Sequence, residues 1–563
     1  MNTGPHDPAA LHSPVAICGG GPSGLFLALD LAHHGIPSVL VEPRTQIDRL
    51  RPRAKTTNAR TMTHLRRLGM AGLLRQAVAL PTSYSQDVIF CSTLAGYEIT
   101  RFHEAFQLSL GDYRWQPECG QQVPQPIVEE VLREQVAGNP LITTWYGYRA
   151  VSVDELQLPS GHGTNLHEVG CVDGAGNRRA VRADFVIGAD GAGSVVRKSL
   201  GIKLEGGSAA LSNVSAVFTS RQLGQKVALD PAVQYWALSD GVSGMIGRMD
   251  LQDTWWAIIQ GVDAQDPGFD AATAIRTMAG AEIDLEILAT DPWTARMLLA
   301  SSYGRSGVFL VGDAAHLNPP WGGHGFNTCI GDAGNLAWKL AAVLQGWAGP
   351  GLLESYEAER RPVAARTIAD AAANGKALAY DFASSLLDAP GPDGDAARTA
   401  ARTALEVKAS EFHSLGLVLG YHYVDSPAIA PDGSEPPAAH PIGYLPSTTP
   451  GCLLPHAWLG GGRPLYDELG PGFTLLLDGG HFAGQQDARA LESLRAFAQA
   501  AGIPLQIRAI DTRQFPAEAR WAAPVLLVRP DQHVGWQGHD LAGAIDALAL
   551  CTGSRRATEV AAG

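Results

Sequence analysis

The apolar positions of this chain fall into short unbroken runs, alternations and helical repeats, and their order predicts the architecture. Residues 15–18 form an unbroken apolar run closed by glycine, as a strand buried on both faces would. Residues 25–34 then place apolar side chains at helical spacing, and residues 38–41 form a second buried run. Residues 184–188 and 308–311 are further runs of this kind, and 327–345 is a long helical pattern. Strand, helix and strand in succession predict a parallel sheet covered by helices. Residues 126–136 read as a helix with Pro126 near its first turn, and 143–190 contains strands that complete the same sheet. The spacing then changes. Residues 214–218, 233–238, 243–249 and 254–259 are short β-rich runs separated by Gly and Asp, which predict one antiparallel sheet. Residues 271–279 read as a helix, and so does the long stretch 352–380. The tail reads strand 473–477, helix 488–500, strands 505–510 and 525–528, and a last strand around 534.

Composition narrows the partners. Of 563 residues, 45% are hydrophobic and 17% charged, which are globular values. The net charge of −14, from 42 basic and 56 acidic side chains, disfavours nucleic acid and anionic membranes. No apolar run approaches the roughly 18 residues of a spanning helix. Residues 1–11 lack the basic start and apolar core of a signal peptide. The 7 cysteines are scattered without C-x-x-C, as reduced thiols in a cytoplasmic protein would be. No metal is expected, because neither H-E-x-x-H nor a clustered Cys/His spacing occurs. A G-x-x-x-x-G-K-[ST] loop and a G-x-S-x-G elbow are also absent, which argues against a kinase, an ATPase or a serine hydrolase.

The chemistry concentrates after three of the buried runs. Gly19, Gly21 and Gly24 stand in G-x-G-x-x-G form, with Ser23 between them, and the next strand ends in Glu42. This is the dinucleotide fingerprint: a tight turn, a pyrophosphate at a helix N-terminus and an acid for the ribose. Residues 312–327 carry Gly312, Asp313, Pro319, Pro320, Trp321, Gly322, Gly323, His324, Gly325, Phe326 and Asn327. Asp313 can hold sugar hydroxyls, the prolines stiffen the backbone, and the glycines admit a flat ligand. The helix that follows aims N–H groups and positive dipole at that ligand, which suits a flavin because its ring becomes anionic on reduction. Asp190 and Gly191 end the 184–188 run and find a place beside the dinucleotide.

These motifs, in this order, resemble the single-component FAD-dependent aromatic hydroxylases, the class A flavoprotein monooxygenases. Within that group the tail is similar to the phenol hydroxylase and 2,4-dichlorophenol monooxygenase branch. The resemblance covers nearly the whole chain. It implies an α/β fold: a Rossmann-like FAD-binding domain of the para-hydroxybenzoate hydroxylase type, an antiparallel-sheet substrate domain and a thioredoxin-like C-terminal domain without C-x-x-C. FAD binding is then expected in 13–80, 121–205 and 301–385. The substrate sheet is expected in 206–300 with an excursion at 81–120, a helix and linker in 386–448, and the C-terminal domain in 449–563. By motif, the resemblance places Glu42 on the adenosine ribose and Arg53 at the phosphates and the nicotinamide entry. It places Gln125 on FAD, Asp313 on the ribityl chain, Pro320 beside the reactive flavin edge, and Phe326 and Asn327 at its pyrimidine end. Trp321 and His324 depart from the residues common in relatives.

The implied reaction uses NADPH or NADH and O₂ to hydroxylate a phenolic or polyketide-type ring through a C4a-hydroperoxyflavin. With a single G-x-G-x-x-G, the nicotinamide binds transiently. Such a site must be dry and must hold the ring close to the flavin. Tyr235, Trp236, Met245, Trp255, Trp256, Trp293 and Trp321 are the candidate walls, although alternation turns about half of the sheet residues away. His103, Asp240, Asp250, His316 and His324 are candidate acceptors for a phenol proton, with His324 first and His316 read as structural. Arg66 and Arg67 are expected on a solvated helix face, and the charged run around Glu357 and Arg361, whose spacing suits pairs along its own helix, is read as structural. The tail is read as structural or as a homodimer contact. Baeyer–Villiger oxidation or epoxidation of a polyketide-like substrate, and a flavin-binding protein without turnover, are the alternatives.

Overall fold

The computed structural model describes residues 10–50, 55–156, 166–376, 379–479 and 485–554. Leu11–Cys18 pairs in parallel with Arg178–Gly188 on one side and with Ser38–Glu42 on the other. Val308–Leu310 and Ile142–Tyr146 extend this parallel array at its two edges. The successive residues Val15, Ala16, Ile17 and Cys18 are all fully buried, so both faces of the strand are covered. Helix Pro22–His33 begins inside the glycine motif, earlier than apolar spacing suggests, because proline is preorganised for the first helical turn. It packs against helix His324–Leu344.

The second sheet runs His316–Leu317, Glu286–Ala300, Leu204–Thr219, Thr254–Gln260, Val242–Arg248, Gln234–Ser239, Val88–Cys91 and Glu98–Phe102. It is antiparallel except where Gln234–Ser239 meets Val88–Cys91. Glu286–Ala300 escaped the sequence pattern because Asp291 and Pro292 interrupt it. The proline is tolerated there, since the pairing to His316–Leu317 is confined to Leu298 and Leu299 and leaves an open edge at Pro292. Trp236, Met245, Trp256 and Ile258 share one face of this sheet. Tyr235, Ile246, Trp255 and Ile259 share the other, together with residues of helix Ala271–Ala279.

In the tail, Phe473–Asp478 pairs in parallel with Leu505–Ile510 and antiparallel with Val525–Val528, which pairs with Val534–Gly538. Helices Gln485–Ala500 and Ala544–Cys551 accompany this thioredoxin-like sheet. Trp338 and Trp347 pack their edges against Phe473 and so join the tail to the first unit.

Charged side chains lock the units together, and the expected solvated helix face fails here. Arg67 is not solvated: it donates at 2.8 and 2.7 Å to Asp30, which is fully buried. Arg66 reaches Glu118 at 2.8 Å and Asp467 of the tail at 2.7 Å. In helix Gly351–Lys376, Glu359 and Arg360 turn inward rather than pairing along the helix. Glu359 accepts from Arg529 at 2.7 and 2.8 Å, from Lys339 at 2.7 Å and from Asn335 at 2.6 Å. Arg360 donates to Asp332 at 2.9 Å and to the Tyr423 hydroxyl at 3.0 Å. Local spacing carries no record of such distant partners.

Candidate active site

The glycine loop leaves Leu11–Cys18 at its C-terminal end, where open α/β sheets bind ligands. Gly19 has φ +110°, and a Cβ there would overlap the Ala189 carbonyl; one at Gly24 would overlap the Gly19 carbonyl. At Gly21 a Cβ would meet nothing within 4 Å, so the loop is tight on one side and open on the other. Helix Pro22–His33 has Gly21 as its N-cap and no side-chain cap bond. Its first-turn N–H donors are therefore left to an anion the size of a pyrophosphate. Glu42 lies across the loop, accepting from Gly20 N at 2.6 Å and from Arg44 N at 2.9 Å and Nε at 2.7 Å. Gln125 donates to Glu129 at 2.7 Å on the same side.

The 312–327 segment forms the neighbouring wall. Gly312 has φ +62°, and a Cβ would strike Ser23 Oγ, so the glycine loop and this segment interlock. Asp313 and Pro320 are exposed; Gly323, Gly325 and Phe326 are half-buried. Helix His324–Leu344 starts after Gly323, φ +65°, again with no side-chain cap. Two helix N-termini thus open uncapped onto this end of the sheet. Some expected ligand groups are already engaged by protein. Asp190 accepts from Ser194 Oγ and from Val195 N at 2.6 Å, capping helix Val195–Ser199 instead of reaching outward. Asn327 donates to Thr56 O at 3.0 Å and Gly323 O at 2.8 Å and accepts from Asn58 N at 2.9 Å. Its side chain is a clamp on the 55–58 strand and loop, which leaves only its backbone for a ligand. Arg53 lies outside the described residues.

The aromatic face of the second sheet belongs to the same buried cluster as Trp321. Trp236, Met245, Trp256, Trp293 and Trp321 therefore share one side. Tyr235 does not: its hydroxyl donates to Asp230 O at 2.8 Å on the helix side, and Trp255 also points there, bonding Ser220 O. A period of two residues separates neighbours in this way. Trp293 donates to Ser215 Oγ at 2.8 Å. Buried polar atoms without a protein partner lie here: Trp236 Nε1, Trp256 Nε1, Gln260 Oε1, Trp321 Nε1 and His324 Nε2.

Comparison with known proteins decides the family. The family described as FAD binding domain matches residues 12–371, and the one described as aromatic-ring hydroxylase, C-terminal, matches residues 447–554. The chain belongs to the FAD-binding aromatic-ring hydroxylases. FAD-dependent monooxygenase apdD of Emericella nidulans is 34% identical over 93% of this chain and 87% of its own length. Phenol 2-monooxygenase of Pseudomonas sp. (strain EST1001) is 30% identical over 95% of this chain and 91% of its own. Among solved structures, RebC soaked with chromopyrrolic acid and holding 7-carboxy-K252c superposes with a TM-score of 0.86 at 30% identity, covering 97% of this chain and 100% of its own. The hydroxylase is thus a flavoprotein monooxygenase with FAD as cofactor and NAD(P)H as the electron donor typical of its family. The uncapped helix N-termini and the open ground at Gly21 fit that cofactor.

The proton acceptors proposed for the hydroxylase sort by position. His103 is exposed and paired with Asp87 at 3.1 Å. Asp240 is exposed, and Asp250 caps the Gln252 and Thr254 amides of a turn. His316 has both ring nitrogens engaged, by Asp332 at 2.8 Å and Asn318 at 3.2 Å, which is the structural role expected of it. His324 is buried, and burial lowers its pKa to about 4. A ring with that proton affinity is a poor acceptor for a phenol proton, so His324 loses its priority as the base. Sequence reasoning singled out none of four further polar residues at this face: Lys55, whose Nζ lies 4.3 Å from the Trp256 ring centroid, Asn213, Ser215 and Gln260. The last three sit on the aromatic face by alternation with Trp256 and its partner strand, so a strict period-two reading could have found them.

Among the described residues, no helix is long and apolar enough to cross a membrane, and no cluster of His, Cys, Asp and Glu could hold a metal. All cysteines are buried and free.

Proposed function

We propose that this hydroxylase inserts one oxygen atom into a phenolic or polyketide-type aromatic ring held against the Trp256 face of its second sheet. Two uncapped helix N-termini beside an aromatic wall with unanswered polar groups carry this reading. Bound FAD would supply the activation of O₂, with electrons from NADPH or NADH. The chain's own residues would bind, orient and keep the site dry. Gly19, Gly21, Ser23 and Gly24 would receive the pyrophosphate, and Glu42 and Gln125 would steady the adenosine side. Gly312 and Asp313 would hold the ribityl chain. Gly323, Gly325, Phe326 and the Asn327 backbone would face the flavin ring, with Pro320 at its reactive edge. Trp236, Met245, Trp256, Trp293 and Trp321 would exclude water from the substrate ring.

The similarity to RebC, whose solved complex holds 7-carboxy-K252c, and to a phenol 2-monooxygenase supports an organic ring substrate without fixing its size. We assign 13–80, 121–205 and 301–385 to cofactor binding and 81–120 and 206–300 to the substrate side. The tail from 449 serves structure, through Arg529 on Glu359. A cytoplasmic location and a homodimer complete the reading. The test is NAD(P)H oxidation by purified yellow protein across a phenol panel that includes fused polyphenols, with product mass and peroxide release measured. A panel in which no ring compound stimulates oxidation would sink the proposal.

A further inference from the structure

Lys55 is a cation that no anion meets among the described residues. It is half-buried, and its Nζ stands 4.3 Å from the centroid of the Trp256 ring. Among the described residues no acid pairs with it, and burial alone brings its pKa down to about 8. Two fully buried lysines are treated differently. Lys339 donates to Glu359 at 2.7 Å and Lys408 to Glu411 at 2.8 Å.

The position is also rigid. The Lys55 carbonyl accepts from Val123 N at 2.8 Å, and the next residue, Thr56, is held by Asn327 at 3.0 Å. Asn327 belongs to the helix that opens at Gly323, so the lysine backbone is tied to the flavin side. Its side chain crosses from there to the aromatic sheet face. Gly247, opposite Trp256 on the neighbouring strand, leaves room for the indole beneath the ammonium, since a Cβ there would lie 2.6 Å from the ring. Trp256 Nε1 and Gln260 Oε1 lie on the same face without partners.

We infer that Lys55 is a substrate-binding residue that receives an ionised oxygen of the substrate ring, and so selects acidic phenols and ring carboxylates over neutral rings. This rests on the proposed placement of the substrate against Trp256. A desolvated ammonium is completed by an oxyanion through a charge-assisted hydrogen bond, and it favours the phenolate, the form in which a ring is most nucleophilic. The cation–π contact fixes the amine without neutralising it. The same charge could instead serve the reduced flavin, so the experiment has to separate the two.

The experiment uses oxidised holoenzyme at one pH with the dyes alizarin and 4-nitrophenol, each beside its O-methyl ether. Binding is read from flavin and dye absorbance. Wild type should bind each phenol at least about tenfold more tightly than its ether, with the dye in its anionic colour. Lys55→Met should lose that preference, and Lys55→Arg should keep most of it. The flavin reduction potential of Lys55→Met should stay at the wild-type value. Equal binding of phenol and ether by wild type, or no binding of either dye to yellow holoenzyme, would overturn the inference. So would a Met variant with unchanged preference, or one whose main change is in the potential. If Lys55→Met retains no FAD, the wild-type comparison decides alone. Failure of the broader reading looks different: colourless protein, or no ring compound that stimulates NAD(P)H oxidation.

Discussion

Beneath the C-terminal unit, buried charges answer one another, whereas on the Trp256 face of the second sheet several buried polar groups have no hydrogen-bond partner among the described residues. In the first region Glu359, Arg529, Asp531 and Lys339 are all buried and mutually bonded. Exceptions nearby include Asn335 Oδ1, Trp338 Nε1, His533 Nε2 and Arg60 Nε. In the second, Trp256 Nε1 and Gln260 Oε1 lack hydrogen-bond partners, and Lys55 lies over the Trp256 ring with no acid paired to it among the described residues. A buried ion pair with one member removed is costly, so the first region is architecture. An unmet polar group also costs stability in the free protein, and the cost is recovered when a ligand supplies the missing partner. The contrast separates the charges that hold this enzyme together from the polar groups that the proposed substrate would answer.

The comparison can be broken most forcefully at Glu359. Glu359→Ala would leave Arg529 and Lys339 buried without a counter-charge, and denaturant unfolding should show a loss of about 3–5 kcal/mol. A loss below about 1 kcal/mol would mean that water or rearrangement replaces the carboxylate. Acid probes the same residue without mutation. Burial opposes ionisation of Glu359, yet Arg529 and Lys339 prevail and hold its pKa down to about 2, against an ordinary 4.5. A depressed folded-state value means that its contribution is present above about pH 4.5 and is lost as pH falls through about 2. The wild type should therefore lose stability across that window, and Glu359→Gln should lose less across it than wild type does.

Smaller effects sharpen the other side. Gln260→Leu removes a buried acceptor without a partner, so the substrate-free protein should gain roughly 1 kcal/mol while affinity for the preferred ring falls. Stability that drops instead would show that the amide is satisfied in solution. Tyr235→Phe should cost about 1 kcal/mol for its bond to Asp230 and leave ring binding untouched, because the side chain faces the helix. Altered ring affinity in that variant would place the pocket on the wrong face of the sheet.

Much of this molecule is readable along the chain. The glycine loop, Glu42 and the 312–327 segment announce their strand-to-helix turns through residues that backbone geometry demands, and such demands are local. The aromatic wall was legible as a set of residues and not as a surface, since one residue of register decides between Trp256 and Trp255. Glu286–Ala300 was hidden because Pro292 sits on a stretch of edge that only pairing reveals. Asp190 and Asn327 carried the right residue types for ligand contact and spend their side chains on caps and clamps.

The sequence by itself determined the order of strands and helices around the glycine turns, because φ preferences and apolar periodicity are written residue by residue, and its motifs carried the resemblance that implied the family and the cofactor. Only the tertiary structure decided which charges are buried, which aromatic side chains share a sheet face, and that Lys55 stands over Trp256 with no acid paired to it among the described residues. Those facts depend on partners hundreds of residues apart, and the desolvation that gives them their energy exists only once the chain has closed around them.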